Sequence, residues 1–340
     1  MTSTVLSGNT SLPRRKTKRS WKSTESWSSR LDWQRVTRPA KFWPRRLDPK
    51  RTASQSGERT IMLQILNVEH AGPAESRGPN QKARLLVSPH DSEAHSPFIL
   101  LAEDWFAPPG GFPTHPHRGM ETVTFILEGQ MLHKDHTGHS DAIDAGDVAF
   151  MTAGGGILHS EMPGTAGVHS LQLWLNLPAR LKRTPAGYVK MKLAEAPVFR
   201  KQGVEARIYS GKFEDIVVPY GSTWPLTLID FRLEVGASFE IPVPVGERVF
   251  VYVVEGEALL GSDRRVVSAD DVAWANSSFE HSGSSLEVSA TSAVRLLIYS
   301  SPIIDEPIAM GGPFVMNTRQ ELDEAFVDLR SGRIVPTSST

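Results

Sequence analysis

The chain of 340 residues is 39% hydrophobic and 22% charged, a soluble globular balance with length for about two domains. It contains no cysteine, which excludes disulfides, thiolate metal sites and thiol nucleophiles, and no stretch approaches the roughly 18 apolar residues of a membrane helix. The formal net charge of -1 is uneven: residues 1–60 hold 15 Lys+Arg and 4 Asp+Glu, leaving 22 and 34 for residues 61–340 from chain totals of 37 and 38. The folded part is thus acidic, and it is not expected to present an extensive nucleic-acid surface.

Residues 1–61 are rich in Ser, Arg, Lys and Pro, with Trp21, Trp27, Trp33 and Trp43 scattered among few aliphatic residues. No helical or strand period persists, so this segment is expected to be a disordered basic extension. Three readings stay open. Translation could start near Met62, the composition could be that of a transit peptide, or the segment could be a basic arm for an anionic polymer. It has no apolar region of the kind a secretory signal needs, and the expected location is cytoplasmic.

From Met62 short β-rich runs follow one another: 63–68, 83–87, 97–101 and 168–175, punctuated by Gly, Pro, Asp and Asn. That texture predicts an all-β sandwich or barrel over 62–177 rather than alternating strands and helices. Residues 178–225 are a Pro-containing crossover linker, and a second β-rich run over roughly 226–302 opens a second domain expected at 226–335. The second run repeats the first. Phe125-Ile-Leu-Glu-Gly-Gln130 recurs as Tyr252-Val-Val-Glu-Gly-Glu257, and Ala145-Gly-Asp-Val-Ala-Phe150 recurs as Ala269-Asp-Asp-Val-Ala-Trp274. Two tandem barrels are the simplest account.

Between the two halves of the first run lies the most informative stretch. His115-Pro-His117 and His159-Ser-Glu161 each place two side chains on one face of a strand, because residues i and i+2 point the same way. If the strands face each other, His115, His117, His159 and Glu161 converge as three imidazoles and one carboxylate. That donor set suits a first-row divalent metal, the carboxylate offsetting part of its charge. A structural zinc site would normally close with four ligands and often uses Cys, whereas four N/O donors leave one or two positions open on an octahedral ion. By the spacing of the repeated motifs, His115 and His117 map to Pro242 and Pro244, and His159 and Glu161 to Gly283 and Ser285. The second copy therefore keeps the scaffold without any ligand, which points to chemistry rather than folding as the reason for the quartet.

Other residues receive plainer readings. His133, His136 and His139 are expected in a solvated hairpin turn, and His169 and His281 in structural roles. Glu121 is a candidate for orienting an imidazole, and Glu128-Gly129 reads as a turn. Near the end, Thr318 with Glu321 predicts a capping box, Leu322, Ala325, Phe326 and Leu329 recur at helical spacing, and Gly332 is a stop. That helix is expected to pack rather than to react.

Three long motifs resemble the pirin family of the cupin superfamily: His115-Pro-His-Arg-Gly-Met-Glu-Thr-Val-Thr124, Met151-Thr-Ala-Gly-Gly-Gly-Ile-Leu-His-Ser-Glu-Met-Pro163 and Gly312-Pro-Phe-Val-Met-Asn317. The resemblance spans residues 62–335 and leaves out the basic extension. It implies a bicupin, two jelly-roll barrels in tandem, with Fe(II) held only in the first by His115, His117, His159 and Glu161. Other divalent transition metals remain possible there. Some members of that family resemble quercetin 2,3-dioxygenases, and a nuclear member is a transcriptional co-regulator. The implied reaction is O2-dependent cleavage of a flavonol or related small aromatic enol, with Glu161 taking the hydroxyl proton. The competing expectation is a metal-dependent regulatory protein that contacts a protein partner without flavonol turnover.

Overall fold

The structure, a computed structural model, describes residues 60–219, 221–278 and 283–335. The expectation for the basic extension therefore falls, apart from residues 60 and 61, outside the described residues, as does that for His281. The described chain is mostly β-strand, with α-helices only at Ser92–His95 and Arg319–Arg330 among the described residues. It forms two tandem barrels, as the repeat predicts.

The two barrels share one strand order. In the first, Val148–Thr152, Met120–Asp135, Ile157–Asn176, Phe98–Phe106 and Gln81–Val87 are neighbours in that sequence. In the second, Asp271–Ala275, Glu247–Glu255, Val294–Pro302, Thr227–Leu233 and Val204–Phe213 repeat it. Strands of the two barrels face each other across a shared wall that holds a large apolar cluster. Phe98, Phe125, Leu171, Leu173, Leu175, Tyr209, Phe250, Tyr252 and Tyr299 fill that wall. Phe250 stacks on Tyr299 with ring centroids 4.6 Å apart and meets Phe98 edge-on at 4.8 Å. Each fully buried side chain of this size contributes about 1.5–3 kcal/mol.

The boundaries differ from the sequence expectation in an instructive way. Ile65–His70, which precedes the first barrel, pairs with Asp271–Ala275 of the second. Gly187–Met191, which follows the first barrel, returns to pair with Val148–Thr152 of that barrel. The first strand of each repeat thus completes the other repeat's sheet. The expected linker 178–225 accordingly contains strands at 187–191, 198–201, 204–213 and 216–218. Such pairing is set by partners far along the chain and leaves no local period to read.

The C-terminal helix follows its sequence signals. Thr318 accepts from the Glu321 amide and Glu321 reaches back to the Thr318 amide, a capping box, and Gly332 takes φ 72° beyond the last turn. Leu322 and Ala325 are buried, and Phe326 packs edge-on against Phe314 with centroids 5.0 Å apart. No described helix is long and apolar enough to cross a membrane.

Candidate metal centre

His115 and His117 lie on the strand Phe112–His117, and His159 and Glu161 on Ile157–Asn176. The two strands pair antiparallel, with His159 opposite His115 and Ile157 opposite His117. A register shift between His159 and Glu161 brings Glu161 opposite Phe112. Ring centroids are 4.2 Å apart for His115 and His159, 4.9 Å for His115 and His117, and 5.0 Å for His117 and His159. One donor atom from each of these three lies within 4.8 Å of the others. A second triplet on the same criterion joins His133, His159 and Glu161. The four residues of the expected quartet fall into two triplets that share His159, and His133, expected in a solvated turn, stands in the second.

All five side chains are buried, His115 the most exposed at 8% and His159 the least at 1%. Nδ1 of His115 is 2.9 Å from the Pro113 carbonyl, and Nδ1 of His117 is 3.3 Å from the Pro313 carbonyl. A carbonyl can only accept, so each Nδ1 carries the proton and leaves Nε2 as a lone-pair donor. Nε2 of His117 and both ring nitrogens of His159 are buried without a hydrogen-bond partner. Such orphaned groups cost about 1–3 kcal/mol each unless something occupies their lone pairs. Burial also holds the imidazoles neutral, with His115 down to about 4 and His117 and His159 well below the usual histidine range. Neutral imidazoles with orphaned nitrogens beside a carboxylate are a donor set that fits a divalent transition metal.

Glu161 is governed by its neighbours. Burial pushes its carboxyl up to about 7, against hydrogen bonds from Gln172 and Thr124. Gln172 Nε2 donates to both carboxylate oxygens, at 3.0 and 2.8 Å, while its own Oε1 accepts from Trp174 Nε1 at 3.1 Å. Asp104, on the adjacent strand, is a second buried carboxyl raised to about 7 by burial and by the charge of Glu161.

Two family models match the chain, Pirin over residues 81–175 and the Pirin C-terminal cupin domain over 228–335. Pirin-1 of Arabidopsis thaliana is 36% identical over 264 residues, covering 76% of this chain and 90% of that protein. Human Pirin is 34% identical over 280 residues, covering 81% and 93% respectively. The chain belongs to the pirin family. Among solved structures, a quercetin 2,3-dioxygenase from Acinetobacter baumannii superposes with a TM-score of 0.73 at 28% identity, covering 81% of this chain and 99% of that one. The two barrels are the cupin domains of a pirin.

Within this pirin several sequence readings are corrected. His133 is not in a solvated turn; it lies on Met120–Asp135, is 2% exposed and stacks on Tyr188 with centroids 4.5 Å apart. The cause is a bulge at Leu127, which falls between the pairs Ser170–Ile126 and His169–Glu128; Glu128-Gly129 lies inside the strand rather than at a turn, with Gly129 at φ 75°. Thr124 before it faces Glu161, and after the extra residue the odd-numbered Met131 and His133 face inward instead. The hairpin itself holds His136 and His139, the latter beside Asp135 at 3.3 Å. Glu121 orients no imidazole: its carboxylate accepts from Thr152 Oγ1, the Thr223 amide and the Trp224 amide. His169 lies 2.7 Å from Glu103 of its own barrel, which also accepts from Arg84 and from Tyr252 of the second barrel.

The register of the second barrel also corrects the mapping. There Ile241 pairs with Leu286 and Val243 with Ser284, and these, not Pro242 and Pro244, face the interior. A shift of one residue moves a side chain to the opposite face of a strand, so sequence spacing landed on the wrong parity. The second interior still offers no ligand at these positions. Gln172 and Trp174 were missed, although the alternation of 168–175 puts both on the face that carries Ser170 into the first barrel.

Proposed function

We propose that this pirin is a cytoplasmic non-haem Fe(II) dioxygenase that cleaves a flavonol-like enol with O2, its metal held by His115, His117, His159 and Glu161. The observation that carries this reading is the cluster of buried, neutral imidazoles with orphaned nitrogens beside a buried carboxylate. The likeness to a protein named as a quercetin 2,3-dioxygenase supports the substrate class. Bound Fe(II) would supply Lewis-acid polarisation of the enol and a redox-active centre for O2. Mn, Ni, Cu or Co could take the same donors.

The residues' own contributions follow from their surroundings. The carbonyls of Pro113 and Pro313 fix the tautomers of His115 and His117, so Nε2 of each is the donor. Gln172, itself braced by Trp174, holds the Glu161 carboxylate in one orientation. Glu161 is the carboxylate beside the cluster, held by Gln172 and Thr124, that would accept the enol proton. Trp174 lies edge-on to His117 with centroids 5.0 Å apart and helps to exclude water from the cluster.

The test is O2 consumption with quercetin by anaerobically Fe(II)-loaded protein, with metal content measured on the same sample. Stoichiometric iron with rapid, quercetin-dependent uptake is the expected result. One observation favours the rival, a metal-dependent regulator that contacts a protein partner: the donors are 8% exposed or less. Stoichiometric iron without uptake would move the assignment to that rival or to another enol, because the fold by itself specifies no substrate.

A further inference from the structure

The C-terminal motif 313–316 lies not on the second barrel but against the first, beside the candidate metal centre. Its Pro313 carbonyl is the acceptor for His117 Nδ1. Phe314 bridges to Arg118 in parallel, and the Val315 amide donates to the Arg118 carbonyl at 3.0 Å. The segment is therefore a strap across the end of the strand that carries His117.

One buried side chain fastens this strap from beneath. Lys182, 1% exposed, donates from Nζ to the Val315 carbonyl at 2.9 Å, the Gly119 carbonyl at 3.0 Å and Asn176 Oδ1 at 2.7 Å. Val315 stands two residues after Pro313, and Gly119 two residues after His117. The ammonium thus ties together the two backbones that meet at the His117–Pro313 hydrogen bond. Burial draws Lys182 down to about 7 against the pull of Glu306 and Glu321, and its three acceptors oppose that cost. Gly119, at φ 79°, lets the chain approach this closely: an added Cβ would lie 2.0 Å from the Val315 carbonyl oxygen.

We propose that Lys182 is a positioning residue for the metal centre, acting through the 313–316 strap to hold His117 with Nε2 free for the ion. This rests on the metal-centre reading above. All three acceptors of Lys182 belong to Gly119, Asn176 and Val315, none of them a proposed ligand, so the effect is on ligand geometry rather than on ligand identity. Partners of this kind typically change metal affinity by about 10–100-fold.

The test compares wild-type protein with Lys182→Met, Lys182→Arg and Asn176→Ala. Co(II) dissociation constants, the visible spectrum of the Co(II) form and urea unfolding of the metal-free protein are measured for each. Lys182→Met should bind Co(II) about 10–100-fold more weakly with an altered spectrum. Lys182→Arg, which keeps charge and donors, should recover most of that loss. Asn176→Ala, which leaves both carbonyl contacts and serves if Lys182→Met does not fold, should weaken binding by a smaller factor, about 3–10-fold. Wild-type affinity and spectrum in Lys182→Met, or in Asn176→Ala where Lys182→Met does not fold, would overturn the proposal. So would an affinity loss that follows unfolding alone and is not rescued by arginine. No Co(II) binding by the wild-type protein would instead sink the metal-centre reading, and this proposal with it.

Discussion

The two barrels share a strand order but differ in what fills them. The interior of the second is closed by Phe213, Phe231, Phe239, Ile241, Leu286 and Val288, and among the described residues no group of three metal-ligating side chains gathers there. At the corresponding ladder of the first stand His115, His117, His159 and Glu161, joined by Thr124, His133 and Gln172. Identical topology therefore carries two kinds of interior, one that stabilises by apolar burial and one that leaves buried imidazole nitrogens without partners. The two differ in the inward residues of a few strands, while both contribute aromatic and aliphatic side chains to the wall between them.

That contrast can be broken from either side. The largest effect is expected in the first barrel: His117→Ala or Glu161→Ala should remove stoichiometric metal and lower turnover by about 10³-fold or more, as loss of a transition-state group does. Both variants should keep a cooperative urea transition, because the second barrel and the shared wall are untouched. Unchanged metal content in either purified variant would remove these residues from the ligand set. In the second barrel, Phe231→Ala deletes a fully buried ring that contacts Phe213 and Phe239, with centroids 5.8 and 5.7 Å away. It should destabilise by about 3–5 kcal/mol in urea, while the folded fraction still binds one metal. A fall in metal stoichiometry of the folded fraction would show that the two interiors are not separable.

A smaller effect sharpens the account of Glu161. Gln172→Leu leaves the carboxylate without its double donor and should weaken metal binding by about 10–100-fold, with stability changed by about 1 kcal/mol. A titration giving wild-type affinity would mean that Glu161 is oriented by other contacts. The smallest effect concerns the seam between the barrels, where His95 of the first stacks on Trp274 of the second at 3.9 Å. Burial lowers His95 to about 4, with Asp91 opposing and Arg248 assisting. The folded state therefore favours the neutral ring, and this stability is complete above about pH 6.5 and is lost as pH falls toward 4. The other buried histidines titrate in the same sense, so the difference between wild type and His95→Gln is the readout. Between pH 7.5 and 5 wild type should lose on the order of 1 kcal/mol more than the variant, allowing for the partial exposure of His95. Parallel loss in both proteins would assign the whole pH dependence to the metal cluster.

Much of this was legible in the sequence because it is local. Period-two patterning placed His115 with His117 and His159 with Glu161, and the capping box at Thr318 and Glu321 gave the helix its start. What escaped depends on parity or on distant partners. The bulge at Leu127 turns His133 inward, and a bulge is not visible in an apolar pattern until the pairing is known. Glu121 stands three residues before Thr124 on one strand and hence faces the other way, a signal that was available. The exchange of first strands through Ile65–His70 and Gly187–Met191, and the strap at 313–316, join segments that no local period connects. The C-terminal motif matched with the second cupin domain in sequence yet serves the first barrel in space.

The most direct test of the central claim is the number of metal ions per chain, measured by elemental analysis after Fe(II) loading and removal of loosely bound metal. The account predicts one ion per wild-type chain and none in the His117→Ala, Glu161→Ala double variant. No ion in the wild-type protein, or one retained by the double variant, would contradict it.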